Sequence, residues 1–590
     1  MPFDGFTMRC LSLELEKRIL NGRIEKIYQP RQDTLIFHIN TGSGREKLLI
    51  SANPSNPRMH LTAESDSSAQ HPPMFCMLLR KRLNGGTILS IRQHGMDRVL
   101  ELVVKTTDQL GEPGLMHIVC EVMGRQSNII LLEQDGRITD SIKRVTGDMS
   151  SYRHIFPGIQ YKSPPSQSKL DISCAGAADL ERAFLQHIGT KAARAVSITL
   201  EGMGSTLSRE LCARCGIDPD MPLGEYSVGA LCTAALDLAA LLKKEDFSPV
   251  IYYSGGKVFD FSPILLTHIS LPYERQRSIN AMLDSFFRQK TGTEALSRER
   301  DYLSGVVNSF LEKSRKKLAG RLQDLKDAED KSHFRLYGEL ITANLYRLKE
   351  KSSLAAVEDY TRPGSPVIEI KLDPNLTPLQ NANRFFDEYN RAKRATKNLE
   401  KLIHESREEV EYLEGLCYII ENCETLQDLG EIRQELQKGG YIKPLKAAAK
   451  EKRPSPAGPL AYMSQDGFTI YVGRNNNQND YLTLRLARKD DLWLHAKDIP
   501  GSHVLVRSGG KEIPDSTLYQ AALLAAFHSK ARQSSNVPVD YTLAKHVSKP
   551  SGARPGYVIY KNQKTLFVTP AREEMERVRH IKDSGTTAPR

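Results

Sequence analysis

A single tryptophan, no four-cysteine cluster and no apolar run long enough to cross a bilayer are the first things missing from this sequence. A membrane span needs about 18 consecutive apolar residues, and no stretch reads that way, so no membrane partner is expected. The N-terminal segment MPFDGFTMRCLSLELEKRIL carries charges at Asp4, Arg9, Glu14, Glu16, Lys17 and Arg18 and so offers no uninterrupted apolar region for export. The nine cysteines are odd in number and scattered from Cys10 to Cys423, which makes no disulfide framework and suits a reducing cytoplasm. Cys212 and Cys215 form one CxxC with no second pair nearby, so neither zinc nor any other cofactor is expected.

What is present is an excess of positive charge. The 82 Lys and Arg residues outnumber 71 Asp and Glu, for a formal charge of +11 over 590 residues. A basic chain favours polyanionic partners, nucleic acid first among them. The length exceeds what one core supports, roughly 250 to 300 residues, so several domains are expected.

The fold class expected is multidomain α+β. Residues 1–170 open with a helix and continue as short apolar runs (TLIFHI, RVLELVV, SNIILLE) between Gly, Asp and Asn turns, the pattern of an antiparallel sheet. The Pro/Ser-rich YKSPPSQSKLD, 161–171, reads as a linker. Residues 171–275 hold short helical patterns (DLERAFLQHIG, LSRELCARCGI, SVGALCTAALDLAALLKK) of the paired helix-hairpin-helix kind, a clamp on phosphate backbones. Residues 276–440 carry two long helical patterns. One has apolar positions Leu303, Val307, Leu311, Leu318, Leu322 and Leu325; the other has Leu399, Ile403, Ser406, Val410, Leu413, Cys417 and Ile420. Polar residues between them predict packing along one narrow seam, an antiparallel coiled-coil arm. TRPGSPVIEIKLDPNLTP between the two predicts a turn and one extended run. A basic, Pro-rich linker at 441–455 precedes a compact α+β domain at 456–575 and a tail at 576–590.

DDLWLHAKDIPGSHVLVR, 490–507, packs candidate chemistry densely. His495 and His503 are too far apart for one helical face and no Cys or acidic set completes a metal site. Ser502 lacks a nucleophile elbow, so no catalytic residue is expected there. Trp493 and His495 on alternate strand positions, Lys497 beside them and a turn ending at His503 suit phosphate or single-stranded RNA. The same residues suit a core tryptophan with satisfied histidines, and the sequence leaves both readings open. Lys549 and Arg554 flank the loop VSKPSGARPGYV, a basic contact or a solvated turn. Lys313, Arg315 and Lys316 in EKSRKKLAGRLQ form an RNA contact or the arm's solvated face. In HGMDRVLEL, Gly95 permits a turn before Asp97 and Arg98. Neighbours on a regular strand face opposite ways, so this pair serves one ligand only if the backbone is still turning there.

SANPSNPRMHLT, PPMFCMLLRKRLNGG, GMDRVLEL, EVMGRQSNIILL, LDPNLTPLQNANRFFDEYNRAKRA and DLWLHAKDIPGSHV resemble, in order and across nearly the whole chain, the ribosome-associated quality-control family of NFACT, NEMF-like proteins, formerly called fibronectin-binding. The resemblance implies a glycosylase-like NFACT-N domain, a helix-hairpin-helix region, a coiled-coil arm and an NFACT-R RNA-binding domain. It implies a cytoplasmic, ribosome-associated factor that binds the large (50S) subunit carrying peptidyl-tRNA, contacts ribosomal RNA and recruits alanine-charged tRNA for template-free alanine tailing. An Hsp15-like cofactor protein, RqcP, is an implied partner. The family's Asp-Arg pair for tRNA maps onto Asp97 and Arg98, and Glu121 and Arg125 in EVMGRQS are expected beside it. Peptide transfer is implied to be ribosomal RNA chemistry, so no catalytic residue is assigned. A DNA-repair lyase fits less well, because Pro2 is followed by Phe3 and Asp4 and no four-cysteine finger is present.

Overall fold

The computed structural model describes residues 3–63, 72–107, 111–165, 168–443, 458–570 and 578–581. The chain divides into two compact units, Met1–Thr293 and Glu294–Arg590. Most of the expected 441–455 linker and of the 576–590 tail lies outside the described residues.

In the first unit the helix Gly5–Ile19 starts where the Asp4 carboxylate accepts a hydrogen bond from the Thr7 N–H at 2.9 Å, capping an otherwise unpaired amide. Leu11, Leu15 and Ile19 recur at fours on its buried face, and full burial of such side chains contributes about 1.5 to 3 kcal/mol each. They lie on a nine-stranded antiparallel sheet built as two meanders. Arg58–Leu61, Gly44–Ser51, Thr34–Thr41 and Arg23–Arg31 make the first, and Thr87–Gln93, Val99–Thr107, Pro113–Glu121, Asn128–Glu133 and Ile138–Ser141 the second. Between them in sequence runs the helix Met74–Leu83.

Helices Ala177–Leu185, Ala192–Thr199, Ser205–Arg214 and Glu225–Lys244 follow, then a three-stranded sheet of Val250–Ser254, Lys257–Ser262 and Tyr273–Arg275. That sheet was not expected in a region read as helical. Nor does the 161–171 segment separate two cores: one continuous apolar cluster runs from Phe3 to Phe287 and includes Leu180, Phe184, Leu231 and Phe261. The helix Glu225–Lys244 also corrects the reading that no stretch could span a membrane, for it is long and apolar enough. Ser227, Thr233 and Asp237 break the run of consecutive apolar residues and so hid it. Here Leu231, Ala235 and Leu238 have no accessible surface, as befits a core helix.

The helix Ile279–Asp330, about 78 Å long at 1.5 Å per residue, enters the second unit and pairs there with Pro378–Asn422. Arg300 donates to the Cys423 carbonyl, Arg315 pairs with Glu414, and Arg321 donates to the Leu402 carbonyl at 2.6 Å. The partner numbers fall as the helix rises, so the two run antiparallel. Leu303, Val307 and Leu311 pack on Leu413, Leu416 and Ile420. Beyond them the expected seam shifts. Leu322 is exposed, while Ser406 is buried because the Arg321 guanidinium reaches its hydroxyl.

The helix His333–Ala343 and the antiparallel hairpin Leu354–Glu358 with Val367–Lys371 close the far end around Leu340, Ile341, Val357, Ile370 and Phe385. Of these two strands only the second was legible, as VIEIK. The helix Leu426–Lys438 leads on to a seven-stranded sheet ordered Lys564–Val568, Val537–Leu543, Leu492–Ala496, Val504–Val506, Thr469–Val472, Leu460–Met463 and Arg579–His580. Its strand residues Leu494, Val504, Val539 and Ile470 pack on the alanine-rich helix Asp515–Phe527, where small side chains permit close approach.

Candidate nucleic-acid interfaces

The strands Thr87–Gln93 and Val99–Thr107 are joined by a tight turn. His94 N–H donates to the Val99 carbonyl and Asp97 N–H to the His94 carbonyl, each at 3.0 Å, and Gly95 takes φ +55°. The backbone is therefore still turning at Asp97 and Arg98, which meets the geometric condition for both to face one ligand. Surrounding groups fix the turn. Gln93 Nε2 donates to the carbonyls of Gly5 (2.9 Å) and Asp97 (2.7 Å), Arg9 donates to the Gly95 carbonyl (2.6 Å), and Met96 N–H donates to the Glu201 carboxylate (3.2 Å). A Cβ on Gly5 would lie 1.7 Å from the Met96 carbonyl oxygen, so only glycine lets the first helix approach this closely.

Asp97 and Arg98 line a cavity of about 230 Å³ together with Asp4, Lys169 and Glu201. The carboxylates are committed to backbone amides: Asp97 Oδ1 to the Arg98 N–H at 2.7 Å, Asp4 to Thr7 and Gly204, and Glu201 to Met96. The cations are not. Among the described residues neither the Arg98 guanidinium nor the Lys169 ammonium makes a hydrogen bond or salt bridge, so both remain available to a ligand. Burial pushes Asp4 up to about 6 against the pull of the Thr7 and Gly204 amides and Arg98. Burial, with the neighbouring Arg98 charge, pulls Lys169 below the usual lysine range. Lys169 was missed because it sits in a stretch whose Pro/Ser composition reads as linker.

The Glu121–Arg125 loop lies alongside, its Val122 N–H donating to the Arg98 carbonyl at 2.9 Å. Gly124 takes φ +62° to open a short 3-10 turn, and Arg125 is exposed. Glu121 is not. Its carboxylate accepts from both Arg153 nitrogens (2.5 and 2.6 Å) and from Tyr161 OH (2.9 Å), and its side chain has no accessible surface. The expectation of RNA contact is therefore corrected for Glu121, which braces the chain near Arg153 onto the sheet.

In the second unit Trp493 is fully buried. Its ring stacks on His495 at 5.9 Å and meets His503 and Tyr560 at 5.1 and 4.9 Å, so it is core and presents no face to a base. Burial pulls both His495 and His503 below the ordinary histidine range, and His503 Nδ1 lies 2.7 Å from Thr483 Oγ1. Lys549 pairs with Asp480 at 2.5 Å, while Arg554 pairs with Glu409 at 3.3 Å, bonds Tyr441 OH and lies 5.0 Å over the Tyr412 ring. These two brace the Gly/Pro loop onto neighbouring helices. Around Arg554 opens a cleft of about 840 Å³ whose wall sets Glu405, Glu408, Glu409, Glu411, Glu414 and Asp498 against Lys317, Arg321 and Arg554, a net negative lining that disfavours phosphate. On the arm, Arg315 is paired with Glu414 and Lys313 lies 5.4 Å over Phe310, while Lys316 is exposed and makes no salt bridge among the described residues. Lys497 is exposed likewise.

A tightly pinned turn with unspent cations, a paired-helix arm and a separate basic α+β domain define a multidomain protein built to hold a large polyanion. Comparison with known proteins makes this specific. Residues 4–455 match the NFACT N-terminal and middle domains, and residues 459–562 match the NFACT protein RNA-binding domain. The Rqc2 homolog RqcH of Bacillus subtilis (strain 168) is 39% identical over 97% of this chain and 98% of its own, and that of Streptococcus suis (strain 05ZYH33) is 35% identical over 98% and 99%. The C-terminal structure of the fibronectin/fibrinogen-binding protein from Streptococcus suis is 35% identical, covering 48% of this chain and 99% of its own with a TM-score of 0.38. The chain belongs to the NFACT family, among the Rqc2 homologues of the RqcH type.

Proposed function

We propose that this chain is a ribosome quality-control factor that binds large (50S) subunits obstructed by peptidyl-tRNA, recruits alanine-charged tRNA and directs template-free alanine tailing of the stalled chain. The observation that carries the reading is the Asp97–Arg98 turn, where a guanidinium free of partners stands in a shared cavity beside Lys169. A guanidinium left unspent in a rigid frame suits phosphate or a base edge. On this reading Arg98, Lys169 and Arg125 face the tRNA, Asp97 accepts from it through Oδ2 while its Oδ1 holds the Arg98 N–H, and Glu121 holds the loop. The first unit corresponds to the family's glycosylase-like domain and helix-hairpin-helix region, and the paired helices to its coiled-coil arm. Lys313 and Lys316 on the arm and Lys497 in the RNA-binding domain are the sequence-assigned contacts best placed for ribosomal RNA. The protein orients substrates while ribosomal RNA transfers the peptide, with an Hsp15-like RqcP protein as a further partner in the cytoplasm.

The test is separation of function. Asp97→Ala with Arg98→Ala should leave the protein on large subunits while the tRNA that copurifies with it, identified by sequencing, is lost and tails disappear. Wild-type tRNA recovery and normal tails would sink the assignment.

A further inference from the structure

With Trp493 enclosed, the RNA-binding domain needs another aromatic if it stacks on bases, and the sheet supplies one. Side chains alternate between the faces of a strand, and residues directly opposite each other share a face. Trp493 pairs with Thr542, His495 with Asp540, Asp540 with Thr565, and Pro538 with Phe567. Lys497 continues the series, its N–H donating to the Pro538 carbonyl at 2.9 Å. All of these lie on the face opposite Leu494, Val504 and Val539, which pack on the helix Asp515–Phe527.

Along that face burial falls row by row. Trp493 and Thr542 are buried, and in the next row Asp540 is buried, bonded by Thr565 at 2.6 Å and Tyr560 at 3.0 Å. In the last row Lys497 is exposed, Pro538 is half-buried and Phe567 is 58% exposed. We infer that Phe567 is a base-stacking platform for single-stranded RNA, with Lys497, in the same row, taking the adjoining phosphate.

Two strand spacings place the Lys497 backbone about 10 Å from that of Phe567, a gap the lysine side chain spans toward a nucleotide on the ring. Lys497 makes no salt bridge among the described residues. Charge favours RNA over a protein strand adding to this edge. Between residues 458 and 570 Lys and Arg outnumber Asp and Glu by 14 to 8, and the edge strand itself carries Lys564, the kind of residue that discourages strand addition. The acidic cleft on the Trp493 side of the face turns phosphate away, so the last row is where a strand of RNA can lie. Residues 564–568 fall beyond the end of the RNA-binding family match at 562, although they pair fully with Val537–Tyr541. The inference does not depend on the Asp97–Arg98 assignment.

Fluorescence anisotropy of the full-length protein with a labelled single-stranded homopolymer and with a duplex of equal length tests it. Phe567→Ala should weaken single-strand binding about five- to hundredfold, the range for loss of one stacked base, with little change on duplex. Phe567→Trp should restore it. Lys497→Ala should weaken binding and lower the slope of log affinity against log salt by roughly 0.7. Should Phe567→Ala lower the melting temperature, Phe567→Trp and Lys497→Ala carry the test unaided. Unchanged single-strand affinity in Phe567→Ala, with or without loss of a protein partner, overturns the proposal, as does an unchanged salt slope in Lys497→Ala.

Discussion

The N–H of Val122 donates to the carbonyl of Arg98, so the loop that presents Arg125 and the turn that presents Arg98 share one hydrogen bond. Two guanidiniums are thereby presented together at one end of the central strands, and among the described residues neither makes a hydrogen bond or salt bridge that holds the fold there. Arg98→Lys should therefore leave the melting temperature unchanged and lower tRNA affinity roughly tenfold, about 1.4 kcal/mol, because an ammonium cannot reproduce the planar fork and Lys169 already supplies a point charge. Equal affinity of the two proteins for alanine tRNA would count against a guanidinium-specific contact.

Glu121 and Arg153 make the opposite case. Their bidentate pair is buried, so Arg153→Ala leaves an unpaired carboxylate inside the protein and should cost about 3 to 5 kcal/mol of stability. Denaturant unfolding of the whole chain reads this directly. A loss below about 1 kcal/mol would mean that water reaches Glu121 in solution.

Trp493→Ala should cost about 3 to 5 kcal/mol through the cavity it leaves, and Trp493→Phe distinctly less. RNA affinity per folded molecule should stay within about twofold for Trp493→Phe, since the ring offers no face to a base. A large loss of affinity at unchanged stability would reverse the assignment and return stacking to this position.

Acid should act on the first unit through His60, while Asp4, raised to about 6, works in the opposite sense over much of the same range. His60 is pulled down to about 4 from 6.5, by burial first and then by Arg58, against the weaker pull of Asp284. Between those values the unfolded chain binds a proton that the folded chain refuses. The His60 contribution is complete above pH 6.5 and is lost as pH falls toward 4. His60→Asn should make the unfolding midpoint less sensitive to acid than that of the wild type between pH 6.5 and 4, the Asp4 contribution being common to both. An unaltered slope would place the titration elsewhere.

Periodicity made the helices and most of the strands readable, because burial on one face imposes a repeat of 3.6 or 2 on the sequence. It failed where burial was not one-sided or partners were distant. The strand Leu354–Glu358 carries two alanines and two acidic or polar neighbours, and becomes a strand only against Val367–Lys371. The Asp97–Arg98 turn was legible through Gly95 and a family motif. Lys169 was not, since it meets Arg98 through a contact 71 residues away in sequence, with no local signature. Trp493 was undecidable because alternation tells which side of a strand a residue takes, but nothing about what covers that side.

Arg321 sits in the apolar stripe between two long helices and is tolerated there because the Leu402 carbonyl and Ser406 hydroxyl meet it. A slip of the two helices by one heptad, about 10 Å, would return leucines to leucines but set this guanidinium opposite Leu399 or Leu413 in place of the Ser406 hydroxyl. A single polar residue at such a position fixes register at some cost in stability. Arg321 is in effect an index mark that sets where the far end of the helical pair lies along its own axis. Seven residues inserted into one helix alone, however well they continue its pattern, would pull that mark out of alignment; seven inserted into both would simply make a longer lever.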